Sequence, residues 1–189
     1  MIKEKDTYIF KTGEYAFEDC IVNDPQNAIT AGSICEALKN CFAQNNIPAA
    51  VSEDTYSYKE GMFKRGTVPC LVVSHSSEPK KFRKIVIAVR QNNGQTLIAP
   101  SWYDRSQVDS LIEKANKLIK KRDKAENKAD RNAASDDLLG SFSNMANAGI
   151  KNARINSIDK KISKLRDGEK AYHTAIHDAV AYVCGQMKG

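Results

Sequence analysis

His173 and His177 stand four residues apart, a spacing that brings two imidazoles to one face of a helix, where a pair can hold a divalent metal. A closed site needs further donors, and Glu169, one turn earlier, is the nearest candidate. The glutamate that follows the first histidine in a zinc protease is missing, so the pair lacks the general base of that chemistry. The competing reading is two ordinary histidines on a packed helix, with His173 beside the packing seam and His177 facing outward.

A nucleophilic enzyme requires Ser or Cys within reach of a histidine and an orienting acid. Cys70 and His75 fall on one expected strand, but five residues apart they point to opposite faces. No GxSxG, P-loop or GxGxxG pattern occurs in the chain. The central sheet positions offer Arg83, Lys84 and Arg90 without an adjacent acid. Glu53, Asp54 and Glu60 lie in a stretch that reads as irregular. The expectation leans away from an enzyme, and no cofactor is implied.

Cations beside flat rings are the more pronounced pattern. Lys80, Lys81, Arg83 and Lys84 cluster at one expected hairpin end, Lys64, Arg65 and Arg90 come from flanking segments, and Trp102 and Tyr103 follow the sheet. Charge plus stackable rings on a sheet is how single-stranded nucleic acid is commonly held, and the same cluster suits another polyanion or an acidic protein surface. Lysines at sheet edges also serve simply to deter aggregation. The net charge of +6 is unevenly spread. Residues 1–60 carry 5 basic and 10 acidic side chains, whereas residues 61–122 carry 13 and 4. The middle third can therefore attract an anion, or be neutralised by the N-terminal third folding against it.

These residues need a scaffold, and the sequence implies one of α+β class. Tyr8, Phe10, Tyr15, Phe17 and Ile21, split by Thr12-Gly13, read as a hairpin or two short strands. Asp24-Pro25 reads as a helix start, and the helix runs to about Gln44 with Ile34, Leu38, Cys41 and Phe42 on one face. Residues 68–75, 82–90 and 95–99 form an antiparallel meander, with Asn93-Gly94 as a two-residue hairpin turn. The run from Lys84 to Val89 is apolar on both faces, which suits a central strand. Pro100 is expected to end the sheet.

Beyond it, two helices carry apolar positions in alternating steps of three and four, the spacing of a coiled-coil seam. Val108, Leu111, Ala115 and Leu118 begin one seam; Ile155, Ile158, Ile162, Leu165, Tyr172, Ile176, Ala179 and Val183 make the other, with Glu169 filling the gap between Leu165 and Tyr172. The expected architecture is an N-terminal helix plus antiparallel β-meander domain over residues 1–103, followed by a long C-terminal antiparallel helical hairpin over 104–189. A linker or short amphipathic helix is expected at about 132–150, where Gly140 and Gly149 interrupt Leu138, Leu139, Phe142 and Met145. Gly168 is a possible break in the second helix. Its final turns are apolar nearly all round, so they are expected to be buried.

Five cysteines, an odd number without a CxxC pair, read as reduced thiols. Charges at Lys3, Glu4, Lys5 and Asp6 are unlike a signal peptide, and no run approaches the roughly 20 apolar residues of a membrane span. The combined expectation is a non-enzymatic cytoplasmic binding protein, without a membrane partner. It would contact a protein partner or a second copy through its helical seams or basic sheet surface. The alternative is a nucleic-acid or polyanion binder using the basic meander, and a metal site at His173/His177 is the remote one.

Overall fold

A computed structural model describes residues 1–8, 15–60, 64–135 and 137–188. The strands are β1 (Ile2–Lys3), β2 (Thr7–Tyr8), β3 (Cys20–Asn23), β4 (Ala49–Glu60), β5 (Lys64–His75), β6 (Lys84–Asn92) and β7 (Gln95–Tyr103). The helices are α1 (Ala31–Gln44), α2 (Gln107–Ala134) and α3 (Leu138–Gln186), with a short 3-10 turn at Glu4–Asp6. The fold is mixed α and β: a mostly antiparallel sheet and three α-helices, the last of them 49 residues long. The chain divides into two compact units, one of residues 1–106 and 169–189, the other of residues 107–168.

In the first unit the sheet order is β1-β4-β5-β6-β7-β2, with β3 also pairing β7. Only β1 and β4 run parallel; the other pairs are antiparallel. Asn93 and Gly94 both take positive φ, as the tight β6–β7 hairpin demands. Strand β6 lies between β5 and β7 and buries both faces. Ile85, Ile87 and Val89 join the main core; Val86 and Ala88 join Ile2, Tyr56 and Cys70 on the other face. The alternation of side chains along a strand requires that division.

The main core is closed by α1 and by the final turns of α3. Ile34, Cys35, Leu38, Cys41 and Phe42 supply the face of α1, while Tyr172, Ile176, Ala179, Val180 and Val183 supply that of α3. Each fully buried Ile or Leu here contributes about 1.5–3 kcal/mol relative to exposure.

Several expectations are corrected. Helix α1 starts at Ala31, not at Asp24-Pro25, and Thr30 and Ser33 form its capping box. Asp24 instead accepts from the N–H groups of Ala28 and Ile29 and from the hydroxyl of Thr96, tying the preceding loop to β7. The stretch 49–60, which reads as irregular, is a long strand paired with β5 along its whole length. Its polar residues fit because much of it faces solvent on one or both sides. Pro100 does not end the sheet. It lies between the part of β7 paired with β3 and the part paired with β2, where a missing N–H is least costly. The expected turn at Thr12-Gly13 and the pair Met62-Phe63 lie outside the described residues; β2 and β3 each pair with β7.

In the second unit, α2 runs to Ala134 and α3 begins at Leu138. Between them the N–H of Asp137 donates to the Asn132 carbonyl, and Asp137 Oδ1 accepts the N–H of Gly140. A Cβ on Gly140 would displace the side-chain ends of Asp137 and Asn132 that close over it. From Leu138 onward the chain is helical and continues through Gly168, where a Cβ would meet nothing within 4 Å. A glycine in open surroundings weakens a helix without breaking it. Ala115, Ala125 and Ala129 of α2 and Ser141, Ala148, Ile155 and Ile158 of α3 are buried, and Arg122 Nη1 donates to Asn152 Oδ1 at 3.2 Å.

Candidate functional site

The histidines are held by hydrogen bonds and ring contacts. His173 is buried, and its Nε2 accepts the backbone N–H of Arg83 at 3.1 Å. His177 is not outward-facing: its side chain is 14% exposed, with Nε2 3.0 Å from the Ala16 carbonyl oxygen and Nδ1 3.0 Å from Asp178 Oδ1. The segment at Tyr15–Phe17 folds over this face of α3, which periodicity along the helix could not foresee. Phe17 lies 4.7 Å from the His177 ring, and Tyr15 meets His173, His177 and Trp102 edge-on.

The third histidine, His75, stacks 4.8 Å from Phe82 and lies 4.9 Å from Tyr172. Its Nδ1 accepts from the N–H groups of Ser77 and Glu78, which shapes the turn before β6. All three histidines thus belong to one aromatic layer between sheet and α3. A nitrogen that accepts a backbone N–H has its lone pair occupied and cannot bind a metal without breaking that bond. Among the described residues no group of three or more metal-ligating side chains is brought together.

Cys70 and His75 point to opposite sides of the sheet, Cys70 lying in the second apolar cluster. Burial, reinforced by the charge of Asp54, pushes the Cys70 thiol up to about 11, so it stays protonated and poorly nucleophilic at neutral pH.

The cationic cluster is largely engaged. Lys81 pairs with Glu78 at 3.0 Å and lies over the Phe82 ring; Lys84 pairs with Asp104 at 3.1 Å and lies over Tyr103. Burial pushes the Asp104 carboxyl up, but hydrogen bonds from the Arg105 N–H and from Lys84 outweigh it and leave the group below its usual range. The Arg90 guanidinium rests 3.8 Å from the centre of the Tyr58 ring. A Cβ on Gly66, the cross-strand partner of Tyr58, would collide with that ring, so the glycine makes room for it. Lys80 is exposed, Arg83 is half-buried, and the side chains of Lys64 and Arg65 lie outside the described ones.

Trp102 corrects the expectation of a stacking platform. Only 1% of it is exposed, and its Nε1 donates to the Tyr15 carbonyl at 2.9 Å. It is a core residue that no base can reach. A further positive area escapes sequence reasoning because it is assembled across two strands. Lys3, Lys5 and Lys59 line a cleft of about 460 Å³ together with Glu4, Ser57 and Tyr58.

The most distinctive surface is apolar. Leu138, Leu139, Phe142, Met145 and Ile150, in the first turns of α3, are 55–86% exposed. At 100° per residue these five, together with exposed Ala146 and Gly149, fall within an arc of about 140° on one side of the helix. The buried Ser141, Ala148, Ile155 and Ile158 occupy the other side. No charged residue occurs from 138 to 150. An isolated exposed leucine is unremarkable, but five large side chains in one stripe reach the upper end of what a monomer usually leaves in water. The sequence displays these residues plainly; their exposure follows only once the other side of α3 is known to be occupied.

No protein-family model, curated protein or solved structure matches the chain. No described helix is long and apolar enough to cross a membrane.

Proposed function

We propose that the chain is a binding protein rather than an enzyme, and that residues 107–168 are its docking element. The observation that carries this reading is the exposed stripe of Leu138, Leu139, Phe142, Met145 and Ile150. Apolar side chains kept in water on a regular helix gain free energy when a partner covers them. We read α2 and the first half of α3 as an antiparallel helical hairpin, supported by the bond from the Asp137 N–H back to the Asn132 carbonyl and by Arg122 reaching Asn152. That hairpin presents the stripe next to its turn. Five buried free thiols favour a reducing, cytoplasmic setting.

A photo-crosslinking residue placed at Met145 tests the docking element, with Lys160 on the same helix as control. Adducts in native extract at Met145 and not at Lys160 are expected. Equal yields at the two positions would overturn the assignment.

The polyanion reading retains exposed Lys80, the partly exposed Lys81, Arg83 and Lys84, and the cleft at Lys3, Lys5 and Lys59. It has lost Trp102 as a stacking surface. Oligonucleotide binding that weakens steeply with salt, and that fails when Lys80, Lys81, Arg83 and Lys84 are reversed in charge, would restore it to first place.

A further inference from the structure

The stripe on α3 carries enough detail to name its occupant, and this step rests on the docking role proposed above. We infer that the partner is a second copy of this chain, with residues 138–150 of the two copies packed antiparallel about a two-fold axis that crosses the stripe at the level of residue 144.

Area is the first reason. Five side chains of these types at these exposures leave on the order of 600 Å² of apolar surface per chain, so a symmetric pair buries roughly 1,200 Å², the lower limit for a specific interface. The stripe is therefore large enough to pair with itself and not much larger.

Shape is the second. In an antiparallel pair centred on Asn144, position i faces position 288 minus i. Leu138 then meets Ile150 of the other copy, Leu139 meets Gly149, and Phe142 meets Ala146. Large side chains fall opposite small ones at the middle of the stripe, where the helices must approach most closely. A Cβ on Gly149 has nothing within 4 Å, so open space is left there for Leu139 of the other copy. A parallel pair would instead set Phe142 against Phe142 and Gly149 against Gly149, with crowding at one and a void at the other.

Charge is the third. The uncharged stretch has Asp137 at its start, and half-buried Lys151 and exposed Arg154 beyond its end. Antiparallel packing places the acidic flank of one copy near the basic flank of the other, whereas parallel packing gathers like charges. An isologous interface of this kind closes on itself and yields a dimer, not a filament.

The test uses the full chain. Light scattering from about 1 to 100 µM is expected to show the mass rising from 21.0 kDa towards twice that value. Phe142→Asp, at an exposed position, is expected to keep the helical content and melting temperature while remaining monomeric throughout. Gly149→Leu fits the isolated chain and favours its helix, yet fills the space that Leu139 needs. It is expected to weaken pairing at least tenfold without loss of fold. A wild-type chain that stays monomeric at 100 µM, a Phe142→Asp dimer, or Gly149→Leu pairing as well as wild type would each overturn the inference. A photo-crosslinker at Leu139 in native extract separates this outcome from the wider docking role. An adduct between two copies supports both. An adduct with another protein, or stripe-dependent binding to lipid vesicles by the monomer, overturns self-pairing; the adduct with another protein leaves the docking role intact. No adduct at Leu139 or Met145 removes both.

Discussion

Replacing His173 distinguishes a structural histidine from a metal ligand, and its cost can be worked from its surroundings. Its Nε2 accepts the Arg83 N–H, and its ring lies 5.0 Å from Trp102 with Tyr15, Phe82 and Tyr172 around it. His173→Phe keeps most of the ring volume but removes the acceptor. The Arg83 N–H is then left without that partner, at a cost of about 1–3 kcal/mol. His173→Ala also opens a cavity in a packed aromatic layer, and the total should reach about 3–5 kcal/mol. Urea unfolding followed by circular dichroism reads both as shifts in midpoint at unchanged slope. Zinc should leave the wild-type midpoint where it is, because binding that favours the folded state would raise it. If His173→Phe is neutral, the hydrogen bond has been misjudged. If zinc raises the midpoint and His177→Ala abolishes that rise, the structural reading of the pair fails.

Other consequences follow from single contacts. Gly168→Ala, in a continuous helix with open space at the Cβ, should stabilise the chain by up to about 1 kcal/mol; destabilisation would mean that α3 breaks there. Gly66→Ala should destabilise, because the new methyl displaces the Tyr58 ring from beside Arg90, and a double variant with Tyr58→Ala should lose much less than the sum of the two single changes. Asp24 gives a pH signature. Burial pushes its carboxyl up, but bonds from Ile29, Thr96 and Ala28 more than offset this and hold it below the ordinary value. The charged form is the one the fold favours. Its contribution is complete above the unfolded value near pH 4 and is lost as pH falls through the folded one. Asp24→Asn should flatten that acid limb in a series of urea midpoints; an unchanged limb would remove Asp24 as its source.

Local chemistry made some of this fold legible in the sequence and hid the rest. Asn93-Gly94 specifies its turn through backbone conformation alone, and the apolar face of α1 follows from 3.6-residue periodicity, so both are readable without tertiary information. The run from Lys84 to Val89 is central because it is apolar on both faces. Asp24 misled because a side chain that caps a helix also suits a loop, and only the distant Thr96 hydroxyl decides between the two roles. Trp102 beside a cluster of lysines resembles a stacking platform until the Tyr15 carbonyl and α3 are placed around it. The same segment, at Ala16, turns His177 inward. The stripe at 138–150 is visible as apolar residues among glycines, but the glycines leave a linker and a short amphipathic helix equally open, where α3 runs helical from Leu138 onward. Its importance emerged only by subtraction, after Ser141, Ala148 and Ile155 had taken the buried side.

The role proposed for the stripe is to be covered by another protein surface. Size fractionation of native extract, comparing wild-type chain with Phe142→Asp, tests it most directly. The wild-type chain is expected to migrate in an assembly larger than its own 21.0 kDa, and Phe142→Asp to fall to the size of a single folded chain. Identical migration of the two, at either size, would contradict it.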